Sequence, residues 1–62
     1  MPVIRVEMLA GRTDEQKRTF AREVTKLACE TFNCKPDTLH VVFSEIPRNS
    51  WATAGTLQSD KS

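Results

Sequence analysis

The 62-residue sequence is short of most features that announce a function by composition. It has no tyrosine, one tryptophan, one histidine, two cysteines and two glycines, and nine basic against eight acidic residues leave a net charge of +1. Each shortage excludes something. A nucleic-acid footprint needs a basic face with stacking aromatics. Here charges of both signs are interspersed, and of the four aromatics Phe20, Phe32, Phe43 and Trp51 only the last falls outside core-like positions. No apolar run approaches the ~20 residues of a membrane helix. Cys29 and Cys34 have no flanking histidines, and two thiols do not make a zinc site. No secretory signal accompanies them, so a structural disulfide is not expected. The expectation is a soluble, cytoplasmic protein with no metal and with neither nucleic acid nor membrane as partner.

Length is the other shortage. A chain of this size forms one domain, residues 1–62, and buries only ~60% of the surface its unfolded form exposes. Small scaffolds are held together by disulfides, a metal or oligomerisation. With the first two set aside, self-association is the expected staple.

What is present is ordered punctuation. Residues 3–9 read as a strand, because Ile4, Val6 and Met8 alternate with Arg5 and Glu7. The even positions are expected to face a helix, and Val3 and Leu9 make the other face only partly wet. Gly11 breaks the strand. Thr13-Asp14-Glu15-Gln16 is a capping-box pattern that opens a helix. Phe20, Ala21, Val24, Leu27, Ala28 and Phe32 follow at helical spacing as one apolar stripe. Lys17, Arg18, Arg22, Glu23, Lys26 and Glu30 read as a solvated face, with Glu23, Lys26 and Glu30 spaced to pair. The helix is expected to end near Phe32-Asn33, ahead of Pro36.

Leu39–Ile46 is the second strand, nearly continuous in apolarity, as for a strand covered on both faces. A long helix between two strands makes them parallel, with a right-handed crossover. The fold class is therefore α/β, a single βαβ unit. Alone it leaves a sheet face and two edges unpaired, a second reason for assembly. Pro47 stops the strand. Trp51–Leu57 is too poor in apolar mass for a core element and reads as a short C-terminal hairpin or arm laid on a neighbour. Trp51 is either an interface anchor or the lid of a pocket. Residues 58–62 are polar and read as a loose tail.

The residue with chemistry to offer is Pro2. If Met1 is removed, its ring nitrogen changes from a tertiary amide into a secondary amine, which can act as base or nucleophile. Burial or a nearby cation lowers the pKa of such an amine toward neutrality. Arg12 can supply that cation and grip a carboxylate with its fork. The plain alternative is that proline simply suits the first residue of a strand.

Taken together, Pro2 ahead of a short strand, the run Gly11-Arg12-Thr13-Asp14-Glu15-Gln16-Lys17, the second strand and a late aromatic before Gly55 make the sequence resemble the 4-oxalocrotonate tautomerase family over nearly its whole length. The resemblance implies a βαβ tautomerase unit that pairs into dimers with a four-stranded sheet, three dimers forming a hexamer. It implies that Met1 is cleaved and that Pro2 is the general base. Pro2 would take a proton from a dienol and return it to a distant carbon, with no cofactor. Arg12 matches the family's carboxylate-binding arginine. Trp51 stands where the family has an aromatic, more usually Phe, that keeps the pocket apolar.

One position departs. Where well-studied short members carry a second arginine in the second strand, this chain has His40. An imidazole donates one hydrogen bond and cannot reproduce a bidentate fork; it can be an electrophile or a strand residue without chemistry. The implied substrate is an enol or dienol of a 2-oxo acid, either the diacid 2-hydroxymuconate or a related monoacid. Two other readings stay open. A hydratase or dehalogenase acting on an unsaturated acid needs a carboxylate to activate water, and Ala52–Thr56 has none. A non-catalytic oligomeric subunit, or a module binding small anions, would fit a retained Met1.

Overall fold

The computed structural model describes residues 2–61. Met1, whose removal the amine chemistry requires, and Ser62 of the tail lie outside the described residues. Strand β1 is Val3–Leu9, helix α1 is Asp14–Phe32 and strand β2 is His40–Ile46. A small antiparallel hairpin follows, β3 (Ala52–Thr53) and β4 (Thr56–Leu57). Strands β1 and β2 pair in parallel with Val3 opposite His40 and Leu9 opposite Ile46, the βαβ arrangement expected from the sequence.

Local chemistry sets the boundaries. The Gln16 N–H donates to Thr13 Oγ1 (3.1 Å) and the Thr13 N–H donates to Gln16 Oε1 (3.0 Å), closing the capping box. Asp14 and Glu15 lie in the first turn, where carboxylates favour the positive end of the helix dipole. At the other end Asn33 turns left-handed (φ 56°), and the N–H groups of Asn33 and Cys34 both donate to the Cys29 carbonyl. Such a left-handed cap redirects the chain while satisfying carbonyls that the helix leaves open. Ala54 and Gly55 both have positive φ (54° and 80°) between β3 and β4, as a two-residue hairpin turn of the I′ type requires.

The parallel register decides which side chains share a face. Ile4, Val6 and Met8 of β1 line up with Val41, Phe43 and Glu45 of β2 on the helix side. The Phe20 and Phe43 rings meet edge to face, 6.1 Å between centroids. The opposite face carries Val3, Arg5, His40 and Val42, all exposed. Strand β2 is thus covered on one face within the protomer, not on both as its apolarity suggested, because a βαβ unit owns a single helix.

The apolar stripe of α1 is likewise wider than two strands can cover. Ala28 is buried, but Phe20, Leu27 and Phe32 remain 45%, 63% and 65% exposed. Covering each is worth roughly 1–2 kcal/mol, a large share of what holds a small domain together. The radius of gyration is 14.8 Å, whereas a compact chain of this length has about 11 Å. The shape is that of a plate with an arm, and its apolar area awaits a partner surface.

The tail is more anchored than its composition suggested. Gln58–Asp60 form one turn of 3-10 helix; the Gln58 N–H donates to the Trp51 carbonyl (2.8 Å), and Arg48 Nη2 donates to the Gln58 carbonyl (2.9 Å).

Candidate active site

Parallel pairing sorts the candidate residues into two groups. At the start of the sheet, the His40 N–H donates to the Pro2 carbonyl (3.1 Å). One step before the Val3–His40 pair stand Pro2, half-buried, and Leu39, buried. Pro2 therefore extends β1 against an apolar neighbour, a setting that disfavours the charged form of an amine. His40 meets Pro2 through its backbone, while its imidazole belongs to the open, exposed face.

Arg12 lies at the other end. Seven strand residues separate it from Pro2, and at ~3.3 Å per residue the two ends of β1 are roughly 20 Å apart. The Ala10 N–H donates to the Ile46 carbonyl (3.0 Å), and Gly11 with φ 122° then turns the chain toward α1. Arg12 borders a cavity of about 250 Å³ between sheet and helix, lined with it by Val6, Met8, Gln16, Lys17, Phe20 and Phe43. Its guanidinium makes no ion pair among the described residues.

Lys17 behaves differently. It is half-buried, not part of a solvated face, and bonds Glu45 and Asp14 (3.5 Å to the latter). The Glu45 hydrogen bond pushes the Lys17 pKa up from its ordinary 10.5, against a smaller opposing effect of burial. Glu45 is consequently an anchor for the first turns of α1 and not a free base for activating water. Sequence reading left Glu45 unplaced and Lys17 in solvent; the parallel register, which puts Glu45 beside Met8 on the helix side, supplies the missing information.

Trp51 follows a 3-10 turn at Arg48–Ser50, half-buried, and leads into the hairpin. It does not line the Arg12 cavity. The structure therefore brings Pro2 and the His40 backbone together, and separates both from Arg12. Among the described residues, no three His, Cys, Asp or Glu side chains converge as metal ligands, and no helix is long and apolar enough to cross a membrane. The arrangement on offer is a proline in an apolar setting and, at a distance, a guanidinium without an ion pair among the described residues, over an apolar cavity.

Comparison with known proteins covers nearly the whole chain. Residues 2–61 match the family model described as tautomerase enzyme. A probable tautomerase of Halalkalibacterium halodurans is 39% identical over 61 residues, 98% of this chain and 100% of the relative. One of Staphylococcus haemolyticus is 37% identical over 97% of each chain. The crystal structure of a 4-oxalocrotonate tautomerase homologue superposes with a TM-score of 0.97 at 35% identity, covering 100% of this chain and 98% of the other. A heterohexamer 4-oxalocrotonate tautomerase from Chloroflexus aurantiacus J-10-fl gives 0.87 at 28% identity over 97% of each. With the family model, the curated relatives and the solved structures all matched over nearly the whole chain, the chain belongs to the tautomerase family, among the homologues of 4-oxalocrotonate tautomerase.

Proposed function

We propose that the chain is a cofactor-independent isomerase that converts the enol or dienol form of a 2-oxo acid into its keto form, with Pro2 as the proton carrier. The observation that supports this most is the half-buried Pro2 beside buried Leu39 at the start of β1. Once Met1 is gone, the Pro2 nitrogen takes the proton of the substrate's 2-hydroxyl and delivers it to a carbon further along the conjugated system. No atom is gained or lost, and the proline ends as it began. Arg12 holds a substrate carboxylate in a two-point grip. Trp51 supplies an apolar wall, and His40 donates one hydrogen bond toward the carbonyl oxygen as charge develops there.

Such a site requires a second copy of the chain. Pro2 and Arg12 flank opposite ends of one β1, which are roughly 20 Å apart, and β1 has a free edge because its sheet, among the described residues, consists of β1 and β2. Antiparallel pairing of two β1 edges sets the start of one strand beside the end of the other. Pro2 then comes within reach of the Arg12 of a second copy. The exposed Val3, Leu27 and Phe32 offer further area for larger assemblies, up to a hexamer. The physiological form is a homo-oligomer working in the cytoplasm.

Because His40 cannot replace a guanidinium fork, a substrate with a single carboxylate suits the site better than a diacid. The test is steady-state ketonisation of 2-hydroxymuconate and of phenylenolpyruvate by protein whose mass shows that Met1 is absent. Pro2→Ala is expected to lower kcat/KM on the better substrate by ~10²–10⁴-fold, the usual contribution of a positioned base, with the assembly unchanged by size-exclusion chromatography. Unaltered activity would exclude the mechanism.

A further inference from the structure

The chain's only two cysteines stand at one place, the C-terminal end of α1. Their approach follows from backbone geometry. The Cys34 N–H donates to the Cys29 carbonyl (3.2 Å), a six-to-one bond closed by left-handed Asn33. That motif juxtaposes the side chains of its first and sixth residues, positions where two apolar groups often touch. Here the touching groups are thiols. The two Sγ atoms are 3.7 Å apart, both residues are half-buried, and both thiols are free.

A pair of small apolar side chains would serve the packing equally well. Two thiols add chemistry that aliphatic groups lack, and the fold has already met the proximity requirement for using it. We propose that Cys29 and Cys34 form an oxidisable dithiol, which hydrogen peroxide converts reversibly into an intramolecular disulfide at the end of α1. One thiolate attacks the peroxide; a sulfur–oxygen bond forms, the oxygen–oxygen bond breaks, and the departing oxygen leaves as water. The second thiol attacks that sulfur; the sulfur–sulfur bond forms, the sulfur–oxygen bond breaks, and a second water leaves. The dithiol is oxidised by two electrons and the peroxide is reduced, until an external thiol reverses the step.

Burial, and then the hydrogen bond and charge of Cys34, push the Cys29 thiol above its ordinary pKa of 9.0. A thiol held protonated in this way suits the second, resolving role. The cross-link joins α1 to the segment Lys35–Leu39 that delivers His40 to its bond with the Pro2 carbonyl.

The experiment treats the full chain with hydrogen peroxide, folded in buffer and unfolded in urea. The readout is the mass of the peptide holding both cysteines, with and without dithiothreitol. The expected result is loss of two hydrogens within one chain, reversed by dithiothreitol and faster in the folded protein by roughly tenfold or more. Cys29→Ser and Cys34→Ser should each abolish that product. A disulfide between two chains, over-oxidation to sulfinic acid as the main product, or equal rates folded and unfolded would overturn the proposal. The folded-against-unfolded comparison uses the unmodified sequence, so it decides the matter even if a variant fails to fold.

Discussion

The two ends of the β1–β2 sheet are built by the same parallel ladder, yet they differ in almost every property. The starting end holds Pro2, Leu39 and the His40 backbone, with apolar surroundings and no ion pair among the described residues. The finishing end holds Arg12, the Lys17–Glu45–Asp14 cluster, the capping box and, beyond β2, Trp51. A parallel pair places both strand starts together and both strand ends together. Pro2 and Arg12, the proposed base and carboxylate clamp, ten residues apart, therefore cannot meet within one protomer. The contrast teaches that the two halves of the proposed site stand at opposite ends of one sheet, so that the proposed chemistry needs a second copy to join them.

The strongest way to break that comparison is to separate the halves genetically. Pro2→Ala should be nearly inactive and Arg12→Ala strongly impaired at low substrate concentration, and unfolding and refolding them together should restore activity. In a two-fold pair built from one of each, one site keeps both native residues, so random mixing should return about a quarter of the unmodified activity. No recovery on mixing, measured as kcat/KM after refolding, would place both residues in one protomer's site and end the two-ended description.

Substrate choice sharpens the comparison next. Arg12→Ala alone should cost roughly 10–100-fold in kcat/KM, mostly through KM, since a charge-assisted pair is worth about 1.5–3 kcal/mol. His40→Arg should raise the ratio of diacid to monoacid turnover by roughly tenfold, short of the ~2.7–4 kcal/mol that a preorganised oxyanion donor supplies. An unchanged ratio would leave His40 as a strand residue without a role in the site.

Smaller effects probe the finishing end alone. Thr13→Ala removes one half of the capping box at a cost of ~1 kcal/mol. That should lower Tm by about 4–8 °C for a domain of this size and raise KM more than it lowers kcat, because Arg12 precedes the cap directly. Calorimetry and steady-state kinetics on the same protein check both parts.

The smallest effect is in alkaline solution. The Lys17 pKa is raised in the folded protein, so its contribution to stability is fully present below the unfolded value of 10.5 and is lost as pH rises through the higher folded value. Glu45→Gln should flatten that alkaline fall in Tm while leaving the behaviour near neutral pH little altered. An alkaline profile identical to that of the unmodified chain would mean that another pair anchors α1.

Much of the fold was legible because its signals are local. Period-two alternation in Val3–Leu9, the Thr13–Gln16 box and the chain reversal before Pro36 each depend on residues a few positions apart. The hairpin was legible in kind, from small residues around Gly55, though not in its anchoring through Gln58 and Arg48. Lys17 was misjudged because charge at a helical position says nothing of a carboxylate 28 residues away. The openness of β2's second face was hidden for a related reason. Its apolarity is written in the strand alone, whereas its cover depends on the elements packed against it, and α1 packs on one face.

By itself the sequence determined the order of β1, α1 and β2 and the parallel sense of the sheet, and it placed Pro2 ahead of β1 and Arg12 just after Gly11. Those follow from side-chain period, capping and connection length, which act along the chain. Only the tertiary structure decided that Glu45 faces α1 and holds Lys17, and that Pro2 and Arg12 stand at opposite ends of one sheet. Those facts rest on register and on how the chain folds back through space, and a register shift of one residue would turn every strand side chain to the other face.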